Sequence, residues 1–236
     1  MDTDLTKRRN YGQYCGLVRA LELIGERWAL LIVRDLLVGP RRFSDLKSGF
    51  ARIPSNILSA RLQELEQAGV VERRVLPRPS HAVVYELTAF GTQLESIVLA
   101  LGRWGAQVLG EPRAEESVTQ DSLIMALRST FRPEAARGLT VSYELRMGDI
   151  VLHAHVRGSK LEVGAGSLPK PDLIIDAGHA LRPLMAGEIS PTQARASGAV
   201  RLIGPSKLLT RFVEVFRIDQ GGPPRNAPSD PPRSEL

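Results

Sequence analysis

The chain has 236 residues, 43% apolar and 24% charged, a balance that suits one or two domains and leaves material for a core in each. A single cysteine excludes an internal disulfide framework; Arg34 and Asp35 break the apolar run ALLIVRDLLVG well short of the roughly 20 residues of a membrane span; and MDTDLTKRRNYG lacks an apolar signal core. The expectation is a cytoplasmic protein with no membrane partner, whose formal net charge of +5 agrees with a nucleic-acid partner without requiring one.

Residues 1–14 are polar and read as a flexible arm, with Lys7, Arg8 and Arg9 either solvated or touching DNA. Cys15 precedes a helix predicted over residues 17–37, in which Leu21, Ile24, Trp28, Leu31 and Ile32 make a core face. A thiol at a helix N-terminus with Arg19 nearby is suited to a raised thiolate fraction, while the other reading is a small buried hydrophobe. With no second cysteine, an oxidised Cys15 is left only an intersubunit disulfide or a small-molecule adduct.

Arg41 and Arg42 open a short helix over residues 43–48, Gly49 and Pro54 punctuate a turn, and Ser55 is the expected N-cap of a second helix that Gly69 ends. Ile57, Leu58, Leu62 and Leu65 fall at helical spacing, so the opposite face carries Ser55, Asn56, Ser59, Ala60 and Gln63. Short hydrogen-bonding groups let a helix enter the major groove, Asn and Gln being suited to adenine. Alone, such a face reads as solvated filler, and its meaning depends on the segment C-terminal to it. That segment is a hairpin: residues 70–75 are extended, LPRPSH turns, and residues 82–87 return with alternating character. Arg73, Arg74, Arg78 and His81 lie on or near this wing's tip, placed for phosphate or the minor groove. Residues 41–81 hold 8 Lys/Arg against 4 Asp/Glu, whereas the rest of residues 1–110 holds 7 of each, so the basic excess coincides with the reading helix. Thr88 then caps a helix running to about residue 109, whose broad apolar face of Leu94, Ile97, Val98, Leu101, Trp104 and Val108 invites a second copy or the chain's own second domain.

The stretch from Cys15 to Gly105 closely resembles the HxlR-type transcriptional regulators, relatives of the MarR regulators. The resemblance is carried by Ile24-Gly25-Glu26-Arg27-Trp28, Arg34-Asp35-Leu36, Gly39-Pro40-Arg41-Arg42-Phe43, Leu58-Ser59-Ala60-Arg61-Leu62, and Tyr85-Glu86-Leu87-Thr88 with Gly91. It implies a homodimer whose two reading helices enter successive major grooves of a near-palindromic operator, about one helical turn apart. It also implies that the helix after Thr88 helps form the dimer, and that Cys15 stands near the place where some members sense electrophiles or oxidants.

Gly110, Glu111, Pro112, Glu115 and Glu116 mark a linker over residues 111–118. A second pattern then starts: a helix at residues 121–131, four strands in LTVSYELRMGDIVLHAHVRGSKLEVGAGSLPKPDLIIDAG, helical segments from Leu181 and Pro191, a short strand at residues 199–203 and an amphipathic helix at residues 205–216. The expected fold is α+β, a winged helix-turn-helix domain over residues 15–110 followed by an α+β domain over residues 119–218. Within the latter, the PDL strand, Met185-Ala186-Gly187, the Pro191 helix start, Ser197-Gly198 and Gly204-Pro205 resemble the sterol carrier protein type 2 fold; residues 121–166 agree only in the order of elements. That resemblance implies helices covering a sheet around an apolar groove for a hydrophobic small-molecule effector, unless the core is filled and the domain serves only to dimerise. Residues 219–236 are Pro/Gly/Ser-rich and read as a disordered tail.

Motifs for catalysis are missing: no GxSxG, HExxH or CxxC occurs, and VGAGSLP lacks the ending of a phosphate loop. His153 and His155 share a strand face but lack a third ligand by spacing, so no metal, cofactor or enzymatic activity is expected. The sequence reads as a DNA-binding transcriptional regulator, a repressor, modulated by a hydrophobic molecule. Its rivals are a hydrophobic-ligand carrier with a structural winged helix and a thiol-sensing regulator acting through Cys15.

Overall fold

A computed structural model describes residues 11–113, 115–219 and 221. Lys7, Arg8 and Arg9 of the expected arm and residues 222–236 of the expected tail lie outside the described residues. The chain divides into two compact units: one takes residues 11–99 with Asp121–Met125, the other Ala100–Gln120 and the chain from Ala126 onward.

The first unit contains α1 (Gly16–Ile24), α2 (Ala29–Val38), α3 (Phe43–Gly49), α4 (Ser55–Gln67), β1 (Val71–Val75), β2 (Val83–Leu87), α5 (Ala89–Thr92) and the start of α6 (Glu95–Ala106). Its core joins Ile32, Val33 and Leu36 of α2 to Leu46 of α3, to Phe50 and Ile53 in the turn, and to Leu58, Leu62 and Leu65 of α4. The single helix expected over residues 17–37 is two. Trp28 adopts a left-handed backbone (φ 81°) just before α2 and packs its ring 6.2 Å from that of Phe50. Apolar spacing continues across this break, which is why periodicity reads through it. The helix expected after Thr88 is likewise divided, into α5 and α6. Thr88 does cap α5, its hydroxyl accepting from the Gly91 N–H at 3.0 Å and donating to the Gly69 carbonyl at 2.6 Å. Gly91 lies so close to the preceding segment that a Cβ there would meet the Val70 carbonyl oxygen at 2.0 Å, so only glycine fits.

The second unit is built on a five-stranded sheet in the order β5-β4-β3-β6-β7, comprising β3 (Thr140–Met147), β4 (Ile150–Arg157), β5 (Lys160–Ala165), β6 (Leu173–Asp176) and β7 (Arg201–Ile203). All pairings are antiparallel except β3 with β6. Helix α7 (Gln120–Thr130) precedes the sheet in the chain; α8 (Leu181–Met185), α9 (Pro191–Ala196) and α10 (Lys207–Val215) complete the second unit. Alternation along β3 and β4 buries Val141, Tyr143, Leu145, Leu152, Ala154 and Val156 on one face. Tyr143 meets the Phe212 ring edge-on at 5.2 Å, and Phe212 and Phe216 lie 4.7 Å apart, so aromatic side chains fill this layer. Mixed α+β structure is therefore present, and no helix among the described residues is long and apolar enough to cross a membrane.

Candidate nucleic-acid interface

Helix α4 is the centre of the site. Leu58, Leu62 and Leu65 are buried, and this anchors the helix with Ser55, Asn56, Ser59 and Gln63 turned to solvent and Ala60 half-exposed beside them. Pro54, not Ser55, is the N-cap: its extended backbone (ψ 144°) delivers the chain into the first turn, and its carbonyl accepts from the Leu58 N–H at 3.0 Å. Ser55 is instead the first helical residue and is exposed, so its hydroxyl belongs to the solvent-facing side of the helix. At the other end Gly69, with φ 70°, turns the chain into the wing at a cost a side chain would raise.

The wing is a hairpin in which Arg73 faces Tyr85 and Arg74 faces Val84. The Arg73 guanidinium stacks over the Tyr85 ring at 5.8 Å, and Arg74 pairs with Glu86 at 2.7 Å while half-exposed. Arg78 and His81 stand exposed in the connecting loop, His81 with φ 45°. Arg42 reaches the loop from the start of α3, Nη2 donating to Ser80 Oγ at 3.1 Å, while its backbone N–H donates to Asp45 at 2.9 Å. Arg52 joins this basic surface from the turn before α4, where it is exposed; its place beside the helix start becomes visible only once the turn is folded, and no spacing rule points to it.

Arg41 differs from its neighbours. Its backbone pairs with Tyr85 at the base of the wing, and its guanidinium grips Asp121 through Nε–Oδ2 at 2.9 Å and Nη2–Oδ1 at 2.7 Å. Expected among the DNA contacts, it is drawn away from the exposed basic surface; the hydrogen bonds it donates to the Asp121 carboxylate hold its pKa above the ordinary guanidinium value. Nearby, Asp35 is buried, accepting from Arg34 Nε at 2.8 Å, and desolvation pushes its carboxyl above the usual range despite that pairing.

Cys15 is exposed at the start of α1, and the Val18 and Leu17 backbone amides lower its thiol pKa. Arg19 is not the helper expected: its guanidinium pairs with Glu22 at 2.8 Å. On the other face of the second unit's sheet the half-buried His153 and His155 rings lie 5.7 Å apart, and His153 Nδ1 is 3.1 Å from the Gly166 carbonyl oxygen. Among the described residues no group of three or more His, Cys, Asp or Glu gathers as a metal site would require.

An exposed reading helix, a basic hairpin beside it and a helical turn that fixes their register define a winged helix-turn-helix DNA-binding unit. A family model described as HxlR-like helix-turn-helix matches residues 23–113. The HTH-type transcriptional regulator YodB of Bacillus subtilis (strain 168) is 40% identical over 88 residues, which are 37% of this chain and 79% of that protein. The uncharacterized HTH-type transcriptional regulator YvaP of the same organism is 36% identical over 89 residues, 38% of this chain and 82% of that one. The solved structure of reduced YodB from B. subtilis aligns at 35% identity and a TM-score of 0.37, covering 43% of this chain and 100% of that chain. The chain belongs to the HxlR-like helix-turn-helix family of transcriptional regulators.

Proposed function

We propose that the chain acts in the cytoplasm as a homodimeric, sequence-specific repressor, the α4 helices of two copies entering successive major grooves of a near-palindromic operator. The observation that carries this reading is the polar, solvent-facing side of α4, with Asn56 and Gln63 open to base edges and the exposed wing residues Arg73 and Arg78 open to phosphate. Ile97, Leu101 and Trp104 on α6 and Leu17 and Leu21 on α1 are large, apolar and exposed, a pattern that suits a second copy as partner. Residues 119–218 form the domain that holds a hydrophobic effector in this reading, as their resemblance to sterol carrier protein type 2 implies. Such a molecule switches the dimer only by binding one spacing of the reading helices better than another.

The test is binding of the purified chain to DNA from upstream of its own coding region and to random DNA of equal length, followed by titration with a lipophilic fluorescent probe. Preference for the upstream fragment, relieved by the probe, is expected. Probe binding without any DNA preference would instead favour a carrier with a structural winged helix.

A second reading concerns Cys15, because its sulfur is exposed and its pKa lowered by the first-turn amides. Under it, oxidants or electrophiles release DNA through an intersubunit disulfide or an adduct. Cys15→Ser should then abolish that response and leave basal binding intact; a response that survives the substitution removes the reading.

A further inference from the structure

Arg41 joins three parts of the DNA-binding unit. Its N–H donates to the Tyr85 carbonyl at 3.0 Å and its carbonyl accepts from the Tyr85 N–H at 2.8 Å, which closes the base of the wing. The next residue, Arg42, is the N-cap of α3, so the same backbone sets where the helical pair begins. The guanidinium then takes both oxygens of Asp121, in a pair whose side chains are 23% and 16% exposed. Planar two-point pairing fixes orientation as well as distance, and partial burial shields it from the screening that weakens surface pairs.

Asp121 lies in the first turn of α7, beyond the family match that ends at residue 113. Only that first turn, Asp121–Met125, groups with the DNA-binding unit; α7 runs on into the second unit, where Leu127 and Thr130 are buried. A side chain that the family's domain does not contain thus holds a side chain that it does.

We propose that Arg41 is a positioning residue and Asp121 its anchor, so that a residue beyond the family domain sets the register of the wing against α3 and α4. The proposal rests on the DNA-binding reading above, and it opposes a direct phosphate contact by Arg41. The two roles give opposite signs for Asp121→Asn. If Arg41 serves phosphate, losing the neighbouring negative charge frees it and tightens binding to every sequence. If Arg41 holds the wing, the same change loosens sequence-specific binding.

Two measurements on the full chain decide this. Amide hydrogen exchange at Arg41 and Tyr85 should quicken about tenfold in Asp121→Asn, the effect of losing one charge-assisted pair, while the α4 core amide of Leu62 is unmoved. Preference for the upstream fragment over random DNA should fall about tenfold with the salt slope unchanged, because every phosphate partner remains in place. Arg41→Asp alone should abolish the preference, and the exchanged pair Arg41→Asp with Asp121→Arg should restore part of it. Unchanged exchange at Arg41 and Tyr85, or tighter binding of Asp121→Asn to both DNAs, would overturn the proposal. A wild-type chain with no preference for either DNA would instead defeat the repressor reading, and the exchange measurement would still decide the anchor.

Discussion

Arg73 and Arg74 are neighbours in sequence, but the pleat sends their side chains to opposite faces of the wing, where one stacks on Tyr85 and the other pairs with Glu86. Arg73→Ala should weaken binding to all DNA and lower the salt slope by about 1. Arg74→Ala should do less, because Glu86 already competes for that guanidinium, and Glu86→Gln should strengthen binding to random DNA in the same salt titration. Asn56→Ala should chiefly relax base preference, by about 1–3 kcal/mol for each base-edge hydrogen-bond pair removed; equal losses on random and specific DNA would refute its assignment. In the second unit Asp172 Oδ2 accepts from both the Ser142 N–H and hydroxyl at 2.7 Å, and these bonds hold its carboxyl below the usual range. A depressed folded-state pKa stabilises above the unfolded value, and that stability disappears as pH falls through the folded one. Asp172→Asn should therefore melt below wild type at neutral pH, with the gap closing on acidification, as thermal melts across the acidic range would measure. The polar face of α4 is legible in the sequence because helical spacing separates it from the leucines. The fate of Arg41 is not, since its partner lies 80 residues away and no local pattern links them.

At the scale of elements, alternation and turn glycines make β3 to β6 readable, whereas the interruption between α1 and α2 is hidden because the apolar spacing survives it. The helix breaks there through a backbone conformation at Trp28, and periodicity does not report backbone sign. The same limit applies at Pro54, where a serine suited to capping stands one residue inside the helix. Helix α6 presents Ile97, Leu101 and Trp104 on one exposed stripe; if this stripe forms the proposed dimer, Leu101→Glu should give a monomer in sedimentation and weaken binding to the upstream DNA while leaving the far-ultraviolet spectrum unchanged. Under α10, Phe212 is fully buried against Tyr143 and Phe216. Phe212→Ala should cost about 3–5 kcal/mol of unfolding free energy in denaturant titration.

For the whole molecule, the family match over residues 23–113 accounts for the reading helix, the wing and the turn between the helices. The remaining chain adds a five-stranded sheet and, through Asp121, a two-point hold on Arg41 of the family domain. The DNA-reading unit is accordingly held in part by a residue C-terminal to the family domain. Sequence-specific DNA binding is the centre of the proposed function, and it is measured most directly by a salt series of binding to DNA from upstream of the chain's own coding region beside random DNA of equal length. A marked preference for the upstream fragment is predicted, with affinity that falls steeply in salt, as phosphate neutralisation by the basic wing demands. Weak and equal binding to both fragments, insensitive to salt, would contradict it.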